Sequence, residues 1–166
     1  MSQMQFSKRD AANEVGFVSD PTRITTDRLN ILVVDDSPSI LALLRSYLLA
    51  QGHAVASADD GEQALAMFDR ITPDLVLMDI RLRGGMDGLE TARALDRDFG
   101  VPSLFVSGSL DAETRARAAA ARPAGFVDKP YSEAELLGAV RAAFARAAAS
   151  GGRGRADAPR AAALHR

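Results

Sequence analysis

Short, uninterrupted apolar runs alternate with helix-like stretches through the middle of the sequence, and this pattern most constrains the fold. The runs are ILVV at 31–34, LVLM at 75–78, LFV at 104–106 and GFV at 125–127, with AVASA at 54–58 as a weaker fifth. Continuous apolar runs are typical of strands buried on both faces, as in parallel sheets. Five strands separated by helices predict an α/β fold, a doubly wound parallel sheet with right-handed crossovers and helices on both faces.

Capping residues mark several helix ends. Ser37 is a candidate N-cap, Pro38 fits the first helical position, and Gly52 is a stop signal. Ser132 with Glu135 three residues later predicts a capping box at the start of the fifth helix. The second and third helices are predicted over about 60–71 and 88–99.

The fourth helix, in DAETRARAAAARP at 111–123, offers little beyond alanine for burial. It therefore removes little apolar area from water, and we expect it to be the least firmly docked helix.

The composition favours one globular domain within the 166 residues. We expect an N-terminal extension over 1–29, partly ordered or flexible, a folded domain over 30–149, and a flexible basic tail over 150–166. The formal net charge of −2 favours neither nucleic acid nor an anionic membrane as a partner. The chain lacks cysteine, a secretory signal pattern and a membrane-length apolar run, so we expect a cytoplasmic location.

Polar side chains follow four of the predicted strands. Asp35 and Asp36 follow the first strand, Asp79 the third, Ser107 the fourth and Lys129 the fifth. Taken singly, each has an ordinary explanation as a turn former, a helix cap or a solvated charge. Parallel strands bring their carboxyl ends to one edge of the sheet, where ligands bind in such folds. Three carboxylates held there repel one another, so they call for compensating positive charge.

Lys129 supplies one positive charge, and a divalent cation is the natural source of the rest of the compensating charge. Oxygen ligands suit Mg²⁺ or Mn²⁺ rather than zinc. The two histidines, His53 and His165, are expected at the surface rather than as ligands. Carboxylates, a metal, an ammonium and a hydroxyl at one edge form a phosphoryl site, in which Asp79 could act as the nucleophile.

The stretches ILVVDDSPSI, PDLVLMDIRL, MDGLE, LFVSGS and GFVDKPYS together resemble the CheY-like receiver domain of two-component response regulators. The likeness covers about residues 30–149. It implies the strand order 2-1-3-4-5, which is the order of CheY itself. It also implies a phosphorylation-activated switch that catalyses only its own phosphotransfer and dephosphorylation.

The resemblance assigns a role to each site residue. Asp79 matches the phosphoacceptor, Lys129 the phosphate-pairing lysine, Ser107 the hydroxyl that moves to the phosphoryl group, and Phe126 the aromatic switch residue. The metal ligands implied are Asp35 through water, Asp36 and Asp79 directly, and the backbone carbonyl of Arg81. The Lys129–Pro130 bond is cis in many relatives. The output face is expected on the fourth helix, fifth strand and fifth helix.

The sequence departs from the family pattern around the phosphoacceptor. Leu82 and Arg83 replace the usual Met-Pro pair, and two glycines follow, so the loop should be looser. Arg81, Gly108 and Ser109 stand at positions that modulate phosphate lifetime in relatives. We therefore predict an atypical phosphate lifetime.

The partners implied are a sensor histidine kinase as phosphodonor and a downstream protein or phosphotransfer protein. Only 17 residues follow Ala149, so we expect no DNA-binding output domain and a stand-alone regulator. A homodimer remains open. The apolar residues within 1–29 leave open whether that segment docks on the domain, docks on a second copy or is disordered.

Three other functions are alternatives to this one. The first is a receiver-fold interaction module that acts without phosphorylation; the altered loop favours it, and the intact acids, Ser107 and Lys129 oppose it. An aspartate-nucleophile phosphatase of the haloacid-dehalogenase type needs a second aspartate where Arg81 stands. A dinucleotide enzyme needs a glycine-rich turn where the chain has DDSPS.

Overall fold

A computed structural model describes residues 28–149. Five strands and five helices alternate in it, as the apolar pattern predicted. In chain order they are β1 Asn30–Val34, α1 Pro38–Ala50, β2 Ala54–Ala58, α2 Gly61–Met67, β3 Leu75–Met78, α3 Gly88–Phe99, β4 Ser103–Ser107, α4 Ala112–Ala118, β5 Gly125–Asp128 and α5 Glu133–Ala149. A short 3-10 turn, Ala119–Ala121, follows α4.

The strands form one parallel sheet in the order β2-β1-β3-β4-β5, so the predicted fold and strand order are confirmed. Residues of β1, β3 and β4 alternate between two buried cores, which is why their sequences are apolar throughout. One core joins the sheet to α1 and α5, and contains Ile31, Val33, Leu44, Leu77 and Leu136. The other joins it to α2 and α3 and the end of α4, and contains Leu32, Val34, Ala64, Phe105 and Ala118.

The helix ends agree in part with the capping predictions. Ser132 and Glu135 form the predicted box, with the Glu135 N–H donating to Ser132 Oγ at 3.1 Å and the Ser132 N–H to Glu135 Oε2 at 2.7 Å. Ser37 occupies the N-cap of α1, but its side chain makes no capping hydrogen bond. The Ser37 N–H instead donates to Asp35 Oδ1 at 2.9 Å, so the preceding carboxylate stabilises this turn. Helix α2 ends at Met67, earlier than predicted, and turns follow it.

Helix α3 spans the predicted residues and begins with a capping box that the sequence analysis missed. The Glu90 N–H donates to Asp87 Oδ1 at 2.8 Å, and the Asp87 N–H donates to Glu90 Oε2 at 2.9 Å. The box fixes the end of the loop that follows Asp79. Gly100 ends the helix in the left-handed region at φ 65°, a conformation that glycine adopts without a steric penalty.

The prediction that His53 lies on the surface is wrong. His53 is only 5% exposed, and its Nδ1 accepts a hydrogen bond from the Leu29 N–H at 3.2 Å. Burial lowers the pKa of His53 below its ordinary value. The imidazole thus satisfies a backbone donor just before β1, and it lies there because the turn after α1 returns to the start of the sheet. His165 and the predictions for 1–27 and 150–166 lie outside the described residues.

Within 28–149, none of the helices has both the length and the apolar content needed to cross a bilayer.

Candidate functional site

The carboxyl edge of the sheet brings three carboxylates together, as the strand ends predicted. Oxygens of Asp35, Asp36 and Asp79 all lie within 4.8 Å of one another. Asp35 and Asp36 follow β1 and Asp79 follows the adjacent β3, so neighbouring parallel strands place them side by side. Asp35 and Asp79 are buried, whereas Asp36 is partly open to solvent.

Lys129 reaches this cluster from the end of β5. Its Nζ lies 3.2 Å from Asp35 Oδ2 and 3.7 Å from Asp79 Oδ2. The Lys129–Pro130 peptide bond is cis, as the resemblance implied. The Lys129 N–H donates to the Ser107 carbonyl at 3.1 Å, which ties the ends of β4 and β5 together. One ammonium therefore faces two buried carboxylates.

The surroundings of Asp79 disfavour its ionised form. Burial raises the pKa of Asp79 above its ordinary value, and the charges of Asp35 and Asp36 raise it further. The Lys129 ammonium and a hydrogen bond from the Arg81 backbone oppose that rise. Lys129 contacts only two of the three carboxylates. The three form an all-oxygen donor set that suits Mg²⁺ or Mn²⁺ and would gain from a divalent cation.

Close backbone packing explains why glycine stands at position 88, within the MDGLE stretch. A Cβ at Gly88 would overlap the backbone carbonyl of Asp79, and the Gly88 N–H donates to the Ile80 carbonyl at 2.8 Å. The start of α3 therefore lies directly against the backbone that carries the Asp79 side chain. A residue with a side chain would push the two segments apart.

The loop between them carries two arginines. Arg83 stands where the resemblance implies proline, and its Nε lies 3.4 Å from Asp36 Oδ2. The sequence indicates the substitution but gives no sign of this ion pair. Arg81 is exposed. Hydrogen bonds from Thr114 chiefly lower the pKa of Asp111, the N-cap of α4, and the charge of Arg81 lowers it slightly.

The end of β4 holds the predicted hydroxyl. Ser107 is buried, and its Oγ accepts a hydrogen bond from the Ser109 N–H at 3.4 Å. Gly108 is exposed, and a Cβ there would meet only the Cβ of Lys129, at an ordinary 3.9 Å. The packing therefore does not require glycine at this position.

Phe126 lies apart from the acids, on β5 and opposite Phe105 of β4. The two rings stack with centroids 5.8 Å apart. The guanidinium of Arg115, on α4, lies over the Phe126 ring at 4.7 Å. This contact is not predictable from the sequence, because nothing in the local pattern of α4 reveals which strand residue an arginine will contact.

Residues 31–141 match the family model described as the response regulator receiver domain. The chain belongs to this family. The predicted recognition is confirmed, and with it the description as a two-component signalling domain of CheY-like type. Receiver domains are signalling switches rather than classical enzymes, and they bind Mg²⁺ at an acidic pocket.

Curated relatives include the DNA-binding response regulator MtrA of Mycolicibacterium smegmatis, 37% identical over 121 residues that are 73% of this chain and 53% of MtrA. The transcriptional regulatory protein ResD of Bacillus subtilis is 31% identical over 122 residues, 74% of this chain and 50% of ResD. The receiver thus spans about half the length of the curated relatives it matches.

Solved structures give the same family. A signal receiver domain of a modulated diguanylate cyclase from Desulfovibrio desulfuricans G20 has a TM-score of 0.69 and 33% identity, over 75% of this chain and 99% of that one. A CheY-like receiver domain protein from Methanospirillum hungatei JF-1 has a TM-score of 0.69 and 25% identity, over 75% and 100% of the two chains.

Proposed function

We propose that this receiver accepts a phosphoryl group on Asp79 from a sensor histidine kinase and signals through the resulting change of shape. One observation carries the proposal: three carboxylates lie within 4.8 Å of one another, with the Lys129 ammonium bridging two of them. Such a cluster is unfavourable unless it binds a cation, and a bound cation together with Lys129 could then receive a phosphoryl group at Asp79.

In the proposed reaction an Asp79 oxygen attacks the phosphorus of a phosphohistidine. The new O–P bond forms as the P–N bond breaks, and the electron pair of that bond leaves with the histidine nitrogen. Lys129 is placed to pair with the phosphoryl oxygens, because its Nζ already lies 3.7 Å from the Asp79 carboxylate. The receiver thereby catalyses its own phosphotransfer and, with water as the nucleophile, its own dephosphorylation.

Asp36 and Asp79 would hold Mg²⁺ directly, with the Arg81 carbonyl as a backbone ligand and Asp35 acting through water. When bound, the cation supplies neutralisation of the phosphoryl oxygens. Arg83 would then share Asp36 with the metal, which relatives with proline at this position avoid.

Phosphorylation would change the structure at the carboxyl ends of β4 and β5. Ser107 would turn its hydroxyl from the Ser109 N–H toward the phosphoryl group, and Phe126 would turn inward. The output face would comprise α4, β5 and α5. A downstream protein, a phosphotransfer protein or a second copy of the chain could bind there.

Phosphate lifetime is the property in which we expect this receiver to differ from its relatives. The resemblance places Arg81 and Ser109 beside the proposed phosphoryl position, and Gly108 is exposed with room around it. We expect the autodephosphorylation rates of Arg81→Asn and Ser109→Glu to differ from that of the parent. Rates equal to the parent's for both variants would contradict this.

Beryllofluoride, a phosphoryl mimic, separates this function from the alternative of an interaction module that does not use phosphate. With Mg²⁺ it should shift the amide NMR signals at the ends of β3, β4 and β5 in the parent and leave Asp79→Asn unchanged. Identical spectra of the parent with and without the mimic would favour the alternative.

A further inference from the structure

Arg115 makes three contacts from one guanidinium group. Its Nε donates to the Leu110 carbonyl at 3.1 Å, its Nη2 donates to Asp128 Oδ2 at 3.1 Å, and its Cζ lies 4.7 Å from the centre of the Phe126 ring. These contacts join the loop after Ser107, helix α4 and two residues of β5, Phe126 and Asp128. A planar group with several donors can make all three at once, whereas an ammonium cannot.

Helix α4 depends heavily on such polar contacts. Of its seven residues, all within the described part of the chain, Ala118 alone is buried. Arg117 Nη2 lies 3.6 Å from Asp87 Oδ2, and Arg93 Nη2 donates to the Arg117 carbonyl at 3.0 Å. Because little apolar area holds α4, the three Arg115 contacts have a large share in its position. The Arg117 side chain contributes less, because its pair with Asp87 is longer and solvent-exposed, and the bond from Arg93 is to the Arg117 backbone.

The arrangement has the features expected before phosphorylation. The Ser107 hydroxyl is engaged with the Ser109 N–H, and Phe126 is half-buried rather than enclosed. Its ring lies between two attractive contacts, stacking with Phe105 and the cation–π contact with Arg115. An inward turn of Phe126 would separate the ring from the guanidinium.

We infer that Arg115 is a positioning residue that holds Phe126 and the loop after Ser107 in the unphosphorylated arrangement, and so sets how readily the receiver switches. The inference rests on the proposed function, because it assumes that occupation of Asp79 moves Ser107 and Phe126. Arg115 does not reach the acids; it acts through the aromatic ring and the loop carbonyl.

The direction of the effect follows from linkage. A contact that exists only before switching disfavours the switched form. It therefore lowers the apparent affinity of every ligand that binds the switched form, and by the same factor. Both side chains of the ion pair are exposed, 41% for Arg115 and 66% for Asp128, so this pair alone contributes little. Together with the cation–π contact we expect about a three- to ten-fold effect on the switching equilibrium.

The experiment is a beryllofluoride titration at saturating Mg²⁺, followed by amide NMR, on the parent, Arg115→Gln, Arg117→Gln and Asp79→Asn. Arg117→Gln is the matched control, because it removes the same charge from the same helix without touching Phe126. Arg115→Gln should need about three- to ten-fold less beryllofluoride for half-saturation, and Arg117→Gln should match the parent. Without beryllofluoride, the ring signals of Phe126 should move in Arg115→Gln alone.

Two failures can be told apart. If the parent and Asp79→Asn both fail to respond, the proposed function is wrong and the inference falls with it. If the parent responds but Arg115→Gln matches Arg117→Gln, or needs more beryllofluoride, the inference alone is overturned. Arg115→Lys, which keeps the charge but cannot make all three contacts at once, provides a second test if Arg115→Gln does not fold. It should shift the titration in the same direction by a smaller factor, and an unchanged titration contradicts the inference.

Discussion

Replacing Asp79 by asparagine should stabilise the metal-free receiver. The substitution keeps the shape of the side chain and removes one of three crowded negative charges. Asp79 oxygen lies within 4.8 Å of oxygens of Asp35 and Asp36, a separation at which each pair repels by about 3.5 kcal/mol at an effective dielectric constant of about 20. Lys129 Nζ, 3.7 Å away, offsets this by about 4.5 kcal/mol.

The remaining repulsion is about 2.5 kcal/mol, and solvent at the open rim of the site reduces it further, so we expect a gain of about 1–2 kcal/mol. For a domain of this size the gain corresponds to a rise in Tm of about 4–8 °C. The pKa of Asp79 is raised in the folded state, mainly by burial, so its ionisation destabilises the fold as pH rises above the ordinary value of 3.8. The difference in stability between Asp79→Asn and the parent should therefore be largest near pH 7 and become smaller in acid.

Thermal unfolding followed by circular dichroism, in chelator and again in Mg²⁺, measures the effect. Asp69→Asn, at an exposed position outside the site, controls for the loss of one negative charge. Mg²⁺ should stabilise the parent and Asp69→Asn more than Asp79→Asn. If Asp79→Asn melts at or below the parent temperature in chelator, the account of the crowded carboxylates is refuted.

Three further predictions concern the surroundings of the site. Arg83→Gln should lower the Mg²⁺ dissociation constant by about two- to five-fold in calorimetric titration, because the exposed pair with Asp36 no longer competes; a weaker affinity would contradict this. The free energy of unfolding should fall as pH drops below 6.5, because the pKa of His53 is lowered by burial, and His53→Gln should flatten that decline in urea titrations. Gly88→Ala should cost about 2–3 kcal/mol in the same assay, whereas Gly108→Ala should be nearly neutral.

Much of the fold was predictable because its signals are local. Strands buried on both faces must be apolar throughout, so ILVV and LVLM mark β1 and β3 whatever surrounds them. The strand order came instead from the resemblance, since pairing of strands distant in sequence leaves no local trace. Residues at strand ends were equally informative, because parallel strands bring Asp36, Asp79 and Lys129 to one edge.

Contacts between side chains of different elements were not predictable. His53 is buried because the turn after α1 packs against the residue before β1, a proximity that only the folded chain creates. The pairing of Arg83 with Asp36 depends on how a loop with two glycines folds back over the site. Arg115 contacts Phe126 only because α4 packs beside β5 at a particular position along the strand.

The central claim is that Asp79 accepts a phosphoryl group, and intact-protein mass spectrometry tests it most directly. The parent, Asp79→Asn and Asp69→Asn would be incubated with a phosphorylated histidine kinase and Mg²⁺, and then again in chelator. The account predicts one added phosphoryl group on the parent and on Asp69→Asn in Mg²⁺, little in chelator, and none on Asp79→Asn. Phosphoryl transfer to Asp79→Asn, or its absence from the parent with every histidine kinase of the source cell, would contradict the account.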